Sequence, residues 1–370
     1  MEIQHLIEDM VLNDQFQIFQ EKKESMLLYI IKEQLELNKI NSNIKSMYKK
    51  FSVDIPKISK LTEIPFIPVN MFKNFQLLTC NSKDIIRILN SSSTTSGIPS
   101  KIYLDRITSI RQSQGLISTL KNFLGGKRKP LLVLDTESIN RSKEVLSARG
   151  AAIRGVSNFA SSITYVMDEK ENNLVIDLPK LKKFEYENRN NEILIYGFTY
   201  IIWSKFVREL EKRNIKLSLP KVKLLHSGGW KKLIAESVVK EEFNRRTAGI
   251  FGTSEENIMD FYGMVEQLGV VFVDCEHGYK HVPDFSDVII RDFNTLDEVK
   301  SGQRGIIEVI SILGSSYPSQ GILTEDIGEL VGIDDCKCGR RGKYFKFKSR
   351  MEKAEIRGCG DTFAEEENIK

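Results

Sequence analysis

Residues 91–101 read Ser91-Ser92-Ser93-Thr94-Thr95-Ser96-Gly97-Ile98-Pro99-Ser100-Lys101, directly after an apolar-rich run at 85–89. Hydroxyl groups can surround an anion, a glycine lets the backbone approach it closely, and the lysine supplies positive charge. The alternative interpretation is a low-complexity Ser/Thr run without a ligand. The features around this loop decide between an anion-binding site and polar filler.

Beyond the loop, short apolar runs alternate with segments of helical periodicity. Buried strands are predicted at 131–134, 193–196, 222–225 and 270–273, and helices at 107–123, 198–213 and 230–246. Such alternation is typical of an α/β fold with a mainly parallel core sheet. The last third of the chain is richer in short strands, with examples at 288–291 and 305–310, and predicts an additional C-terminal β-rich subdomain.

Two features are predicted upstream of the loop. Apolar residues recur at roughly helical spacing over 16–50, without proline or glycine, and predict a helix. Residues 61–72 contain two prolines three positions apart, so we expect an extended connector packed on the core.

Composition excludes several classes of function. The 370 residues carry a net charge of only +4 with both signs interspersed, which argues against a nucleic-acid-binding face. The acidic N-terminus does not resemble a signal peptide, and no apolar run is long enough to span a bilayer. Five cysteines do not form a small secreted framework, so we expect a reducing cytoplasm and free thiols.

Two further segments accompany the hydroxyl loop. Phe261-Tyr262-Gly263-Met264-Val265-Glu266 lies about 165 residues after the loop, and Thr324-Glu325-Asp326 lies about 60 residues after that segment. Their order and spacing resemble those of the adenylate-forming enzymes, which activate carboxylates with ATP. The resemblance implies that family's large-domain fold. It also implies that the loop binds the triphosphate, that Glu266 holds Mg²⁺ and that Asp326 holds the ribose hydroxyls. Both assignments agree with oxygen ligation of Mg²⁺ and with carboxylate acceptors for hydroxyl groups.

The same resemblance assigns further ATP-site residues. Tyr262 and Gly263 would lie near the adenine, and the backbone of Gly228 and Gly229 would lie against it. The complete set of nucleotide-binding residues implied is Ser92, Ser93, Thr94, Thr95, Ser96, Gly97, Ser100, Gly228, Gly229, Tyr262, Gly263, Asp326 and Arg350. Thr94 departs from the pattern because that position is usually glycine in the superfamily.

The chain also resembles the LuxE-type acyl-protein synthetases over most of its length. The resemblance includes Ile64-Pro65-Phe66-Ile67-Pro68-Val69 leading to Phe72-Lys73, together with Ser227-Gly228-Gly229-Trp230-Lys231, Ser316-Tyr317-Pro318 and Gly358-Cys359. It implies a large domain at 1–346, a short mobile segment at 347–370 and a truncated small C-terminal domain. Because the small domain of CoA ligases supplies a catalytic lysine, another cation must act here. Lys101, Lys231 and Arg350 are the candidates.

The family resemblance implies a two-step reaction. A fatty or other lipophilic carboxylate would attack the α-phosphate of ATP to give acyl-AMP, and a thiolate would then take the acyl group. Cys359 matches the family's acyl-carrying cysteine, and Arg357 beside it could lower the pKa of the thiol. The acyl group would then pass to a partner such as a fatty acyl reductase or a carrier protein. The alternative is that Cys359 is a bystander thiol.

The other cysteines give a separate signal. Cys275-x5-His281 and Cys336-x-Cys338 supply three thiols and an imidazole, enough for one tetrahedral zinc site. His277 competes with His281 as the imidazole ligand. Unrelated thiols in turns are the alternative interpretation.

Two other functions remain open from the sequence. One is a carboxylate-CoA or carrier-protein ligase of the phenylacetate type, serving polysaccharide or secondary-metabolite assembly. The other is a non-catalytic ATP-binding relative.

Overall fold

The structure is a computed structural model that describes residues 2–38, 49, 53–91, 99–140, 148–171, 173–230 and 237–351. Its strands are β1 Ile67–Pro68, β2 Ile85–Asn90, β3 Lys101–Asp105, β4 Lys129–Val133, β5 Ala160–Tyr165, β6 Met167–Lys170, β7 Asn173–Ile176, β8 Ile193–Phe198, β9 Val222–Ser227, β10 Ile258–Gly263, β11 Val271–Val273, β12 Lys280–His281, β13 Ser286–Arg291, β14 Arg304–Ser311, β15 Gly321–Ile333 and β16 Lys343–Arg350.

The α-helices of the described ranges lie mainly between these strands. They span Glu2–Leu12, Gln20–Asn38, Met71–Asn74, Arg106–Leu124, Ala148–Val156, Leu178–Asn188, Thr199–Ile201, Arg208–Lys212 and Lys240–Phe251. A π-helical turn, Ile202–Val207, joins the two short helices on either side of it. None of the described helices is long and apolar enough to cross a membrane.

The core sheet has six strands in the order β11-β10-β9-β8-β4-β5. All neighbours in it are parallel except β10 and β11, which are antiparallel. Every residue of β8 is buried, as expected for a strand covered on both faces by helices. The predicted mainly parallel α/β core is therefore confirmed, and parallel β9 and β10 bring the segments that follow them to one edge.

A second sheet contains the C-terminal third. Its order is β12-β16-β15-β14-β13 with antiparallel neighbours, and β1 adds to β15 in parallel. The helices Glu2–Leu12 and Gln20–Asn38 share a hydrophobic core with this sheet. Pairing of Ile67 with Ile322 explains why the middle of the proline-containing connector is extended. Its ends are not extended, because Leu61–Glu63 form a 3₁₀ turn and a short helix begins at Met71. The predicted β-rich subdomain is confirmed, and the connector prediction is corrected at both ends.

Several predicted boundaries need correction. The helix predicted over 16–50 begins at Gln20, because Phe16 has a left-handed φ of 66° and cannot continue a helix. The helix predicted over 230–246 begins at Lys240, since Val239 is extended with ψ 153°. In contrast, Arg106–Leu124 matches its prediction closely. Asp105 accepts the Thr108 amide at its start, and Gly125 ends it with φ 80°.

The proposed division of the chain at 346/347 falls inside a strand. β16 continues to Arg350, which pairs with Asp326 of β15. The two-part division stays a prediction, and residues 352–370 lie outside the described ranges.

Candidate functional site

Asp326 lies at the meeting point of the two sheets. The Tyr262 hydroxyl, near the end of β10 in the core sheet, donates to Asp326 Oδ2 at 2.8 Å. Arg350 Nε, on the neighbouring strand β16, lies 3.3 Å from Asp326 Oδ1. Each carboxylate oxygen has two acceptor sites, so Asp326 retains capacity for further donors such as hydroxyl groups. Three sequence-predicted residues are thus brought together.

Tyr262 is held in a fixed orientation. Its ring stacks between Phe347, with centroids 5.4 Å apart, and Phe272, at 5.9 Å. Burial and the adjacent Asp326 carboxylate raise the pKa of Tyr262 well above its ordinary value. The hydroxyl therefore stays protonated and acts as a hydrogen-bond donor at neutral pH.

Glu266 lies on a short 3₁₀ turn, Val265–Gln267, three residues beyond β10. The turn is fixed from two sides: Tyr317 donates its hydroxyl to the Glu266 carbonyl at 2.9 Å, and Gln267 Nε2 donates to the Ser319 carbonyl at 2.6 Å. The Glu266 side chain is buried, and this burial raises its pKa. Ser100 acts in the opposite direction and lowers it.

The described ends of the hydroxyl loop are closed by hydrogen bonds. The Ser91 amide donates to the Ser100 carbonyl at 3.0 Å, and the Ser100 amide donates to Ser91 Oγ at 2.8 Å. Ser100 is fully buried, whereas Lys101, the first residue of β3, has an exposed side chain. The loop residues Ser92, Ser93, Thr94, Thr95, Ser96 and Gly97 lie outside the described residues, as does Lys231.

The glycine pair at 228–229 follows β9 directly. Gly228 has φ 84°, and a Cβ there would come within 2.8 Å of the Phe198 ring, so only glycine fits. In the sheet, Ser227 pairs with Phe261, the residue before Tyr262. Gly228 and Gly229 therefore follow a strand adjacent to Tyr262, while Gly263 ends β10 itself. No contact described joins the glycine pair to Asp326.

A buried polar network lies beside this strand end and was not anticipated from the sequence. His226 Nδ1 lies 2.9 Å from Thr199 Oγ1, and its ring packs 4.7 Å from that of Phe243. Burial lowers the pKa of His226 to about 4. Its neighbour Asp260 receives a 2.7 Å hydrogen bond from the buried Lys280. Histidine 226 is neutral at pH 7 and has a packing role.

The four predicted metal ligands converge. The ligand atoms of Cys275, His281, Cys336 and Cys338 all lie within 4.8 Å of one another. Cys338 Sγ is 3.2 Å from His281 Nε2, and the Sγ atoms of Cys275 and Cys336 are 4.0 Å apart. Tetrahedral zinc with Zn–S bonds of about 2.3 Å places its ligand atoms about 3.8 Å apart. The donor set and its spacing therefore fit one zinc ion.

Local turns hold these ligands. The Gly278 amide donates to the Cys275 carbonyl at 2.8 Å, and the Gly339 amide donates to the Cys336 carbonyl at 2.9 Å. The His281 ring stacks on Tyr344, with centroids 5.5 Å apart. His277 is not among the clustered ligands, so the geometry favours His281.

The thiols in the cluster influence one another. A hydrogen bond between Cys275 and Cys338 lowers the pKa of Cys338 and raises that of Cys275, and His281 lowers the pKa of Cys338 further. The lowered pKa favours the thiolate form of Cys338, which is the form that binds metal. None of the four described cysteines forms a disulfide, and Cys80 lies outside the cluster. Cys359 lies outside the described residues.

The sequence did not identify the residues that support Glu266. Gln112 Nε2 donates to the Tyr317 hydroxyl at 3.1 Å, and Tyr317 in turn holds the Glu266 turn. These partners lie 205 and 51 positions apart in the chain, so no local pattern joins them.

Comparisons with known proteins agree on family and fold. The family model described as "Acyl-protein synthetase, LuxE" matches residues 2–367. The long-chain-fatty-acid–luciferin-component ligase of Aliivibrio fischeri is 26% identical over 272 residues, covering 72% of this chain and 69% of that protein. The ligase of the same name from Vibrio harveyi is 24% identical over 306 residues, covering 82% and 78%.

Solved structures support the fold. A crystal structure of 2-hydroxyisobutyryl-CoA ligase in the postadenylation state, in complex with 2-HIB-AMP, superposes with a TM-score of 0.65 at 11% identity. The match covers 89% of this chain and 68% of the ligase. A structure of the same ligase with 2-HIB-AMP and CoA gives a TM-score of 0.64 at 12% identity, covering 90% and 69%. The predicted adenylate-forming fold is confirmed.

Proposed function

The chain belongs to the LuxE acyl-protein synthetase family and is an ATP-dependent carboxylate ligase, and on this premise we propose that it activates a long-chain fatty acid as acyl-AMP. The acyl group then passes to a protein thiol. The observation that carries the proposal is the convergence of Tyr262, Asp326 and Arg350 at the junction of the two sheets. The fatty-acid substrate is proposed from the names of the two bacterial relatives.

ATP and Mg²⁺ are the proposed cofactors. Mg²⁺ is held by few carboxylates together with phosphate oxygens, and the buried Glu266 carboxylate is suited to that role. The ion would neutralise charge on the phosphates and would stabilise the departing pyrophosphate. Asp326 would accept hydrogen bonds from the ribose, and the hydroxyl loop would donate to the phosphates.

The adenylation step balances without another reagent. A carboxylate oxygen of the fatty acid forms a bond to the α-phosphorus, and the bond from that phosphorus to the β-phosphate oxygen breaks. Pyrophosphate leaves, and no proton is transferred. Glu266 and Arg350 both contribute electrostatically: the cation of Arg350 favours the ionised form of Glu266.

The acceptor is proposed to be Cys359. Its thiolate would attack the acyl carbonyl of acyl-AMP and release AMP, leaving a thioester on the enzyme. A partner protein, such as a fatty acyl reductase or a carrier protein, would then receive the acyl group. We place the reaction in the cytoplasm, where free thiols remain reduced.

A structural zinc ion is proposed at Cys275, His281, Cys336 and Cys338. The support is the clustering of four suitable ligand atoms and the lowered pKa of Cys338. The ion would join the segment after β11 to the turn between β15 and β16. It would have no open position for a substrate.

The test separates the two steps. Exchange of labelled pyrophosphate into ATP is measured with saturated fatty acids of about 8 to 18 carbons. Acetate serves as the short-chain reference. The proposal expects exchange that depends on the fatty acid. Its absence with every acid would favour the non-catalytic alternative.

Transfer is tested with labelled fatty acid and gel analysis of the denatured protein. Cys359→Ser is expected to keep pyrophosphate exchange and to lose the covalent label. Cys80→Ser is the matched control and is expected to keep both, because Cys80 lies outside the thiol cluster. Retention of label in Cys359→Ser would refute the assignment, and formation of soluble acyl-CoA on adding CoA would favour the CoA-ligase alternative.

A further inference from the structure

The ATP phosphates would need a cation that is not already engaged elsewhere. Arg350 is engaged with Asp326, where the ribose is proposed to bind. Lys101 is the first residue of β3, and its side chain is exposed. Lys231 lies outside the described residues. A phosphate-binding site beside Glu266 requires a cation on an element that reaches that glutamate.

The short helix Met71–Asn74 is such an element. It follows β1, which runs parallel to β15. The Val69 amide continues this pairing by donating to the Leu323 carbonyl at 2.9 Å, three residues before Asp326. The helix also packs against β3, the strand that begins directly after the hydroxyl loop. It is therefore fixed between two of the three proposed ATP-binding segments.

Phe72 joins this helix to the third segment. Its side chain is fully buried, and its ring meets the Tyr317 ring edge-on with centroids 6.1 Å apart. Tyr317 in turn donates its hydroxyl to the Glu266 carbonyl. A single aromatic contact and a single hydrogen bond thus separate the helix backbone from the Glu266 turn.

Lys73 is the cation that this helix carries, directly after the buried Phe72. Its side chain is half-buried, and it makes no ion pair with a carboxylate in the described part of the chain. The positive charge of Lys73 nevertheless lowers the pKa of Glu266, as does that of Arg350. Because the Lys73 ammonium makes no direct ion pair with this carboxylate, its N–H donors remain available for a ligand that both groups could bind. A triphosphate with Mg²⁺ is such a ligand.

We propose that Lys73 is a catalytic residue that binds the phosphates of ATP beside Glu266 and stabilises the charge that moves onto pyrophosphate. This inference rests on the proposed function. The lysine supplies a positive charge from the short helix Met71–Asn74, whereas the charge of Arg350 is already engaged with Asp326. The bonds made and broken are those of the adenylation step, and Lys73 remains protonated throughout.

The test compares Lys73→Met, Lys73→Arg and the matched control Lys83→Met. Lys83 is an exposed lysine on the nearby 3₁₀ turn Ser82–Asp84. Removal of one charge-stabilising donor typically costs about 100-fold in rate, so Lys73→Met is expected to lower kcat/KM for ATP in pyrophosphate exchange by that factor. Lys73→Arg keeps the charge and is expected to recover to within about tenfold of the unmodified protein. Lys83→Met should change exchange less than about twofold, as for an exposed side chain.

Rescue by Lys73→Arg separates an electrostatic role from a structural one. Arginine keeps the positive charge but differs from lysine in shape, so it recovers exchange only if the charge itself acts on the phosphates. A purely structural role for Lys73 would leave Lys73→Arg as impaired as Lys73→Met.

Binding of Mg²⁺-ATP, measured by calorimetry, makes the result independent of turnover. Lys73→Met is expected to weaken binding about tenfold, the loss of roughly one charge-assisted hydrogen bond. If exchange occurs and neither exchange nor binding changes in Lys73→Met, the inference is wrong and the proposed function stands. If no acid supports exchange but binding still weakens in Lys73→Met, the phosphate-binding role of Lys73 stands, whereas its catalytic role and the proposed function both fail. Absence of ATP binding by the unmodified protein would overturn both.

Discussion

The Cys/His cluster and the Glu266–Asp326 region differ in how their polar groups are held. In the cluster, four ligand atoms lie within 4.8 Å, and tight turns around Cys275 and Cys336 fix two of them. In the Glu266–Asp326 region, charged groups lie on separate strands and turns, and Arg350 is 62% exposed. The cluster is complete without a substrate, whereas the other region retains acceptors and charges for one. Loss of the first should therefore affect stability, and loss of the second should affect chemistry.

Glu266→Gln should give the largest effect, on activity alone. Loss of the proposed Mg²⁺ ligand is expected to lower fatty-acid-dependent pyrophosphate exchange about 1,000-fold. Burial raises the pKa of Glu266, so the folded state favours the neutral carboxyl group and loses stability as the pH rises through this pKa. Glutamine is neutral at every pH, so Glu266→Gln should not show this loss. The thermal midpoint at pH 8 should therefore be equal or higher.

The matched control for this change is Glu255→Gln, an exposed carboxylate on the turn Glu255–Asn257. It should leave both exchange and the thermal midpoint unchanged. A large drop in the midpoint of Glu266→Gln, in parallel with activity, would show that Glu266 supports the fold and would remove the contrast between the two regions.

Cys336→Ser tests the other region. A thiol ligand lost from a tetrahedral site is expected to lower bound zinc from about one to below about 0.2 per chain. Loss of about 3 kcal/mol would lower the thermal midpoint by about 4 °C for a chain of 370 residues, because the unfolding entropy is about 2 cal/mol/K per residue. Pyrophosphate exchange at a temperature below the transition should stay within about threefold, because the cluster has no contact with Asp326 or Glu266 in the described structure.

Cys80→Ser is the control for zinc content, since Cys80 lies outside the cluster. It should keep the metal. Elemental analysis that finds no zinc in the unmodified protein would contradict the proposed metal site, even if Cys336→Ser were less stable.

The sequence predicted both regions to different depths. The sequence named all four residues that the structure clusters, because Cys-x-Cys and Cys-x5-His are local spacings. The clustering favours His281 over His277, and metal binding by these residues stays a proposal. Glu266 and Asp326 were identified from their surrounding motifs. Their supports were missed because hydrogen bonds such as that from Gln112 to Tyr317 join residues 205 positions apart.

The fold shows the same limit. Apolar runs predicted the core strands because buried parallel strands are nearly continuous in hydrophobicity. The predicted start of the helix Gln20–Asn38 was wrong because helical spacing of apolar residues continues back to Phe16. Phe16 instead has a left-handed φ, and its carbonyl accepts a hydrogen bond from the Arg341 amide, a tertiary contact. Periodicity reports a buried face, and it cannot report a contact made by a residue more than 300 positions away.

His226→Gln tests whether the buried His226, at the end of β9 beside Gly228, makes the folded protein less stable at acidic pH. The pKa of His226 is lowered to about 4 by burial; Asp260 and Asp274 oppose this, and Lys280 and Lys240 add to it. An unfolded histidine has a pKa near 6.5, so the unfolded state binds the proton first as pH falls. The contribution to stability is present above pH 6.5 and is lost toward pH 4, by about 3 kcal/mol.

Urea unfolding at pH 7 and pH 4.5 measures this difference. His226→Gln keeps a hydrogen-bonding partner for Thr199 and cannot take up the proton, so it should lose less stability on acidification than the unmodified protein. His5→Gln, at an exposed position, is the control and should behave as the unmodified protein does. Equal acid sensitivity in all three proteins would place the responsible group elsewhere.

Tyr262→Phe should give the smallest effect and distinguishes binding from chemistry within the Glu266–Asp326 region. The ring contact with Phe347 is retained, and only the 2.8 Å hydrogen bond to Asp326 is lost. A single hydrogen bond contributes about 1 kcal/mol, which corresponds to a KM for ATP raised about fivefold with kcat within about twofold. Because Asp326 is proposed to hold the ribose, away from the reacting phosphate, its orientation should affect ground-state and transition-state binding equally. Tyr29→Phe, at an exposed position, is the control for the loss of a hydroxyl group. A fall in kcat in Tyr262→Phe without a change in KM would instead place Asp326 at the reacting centre.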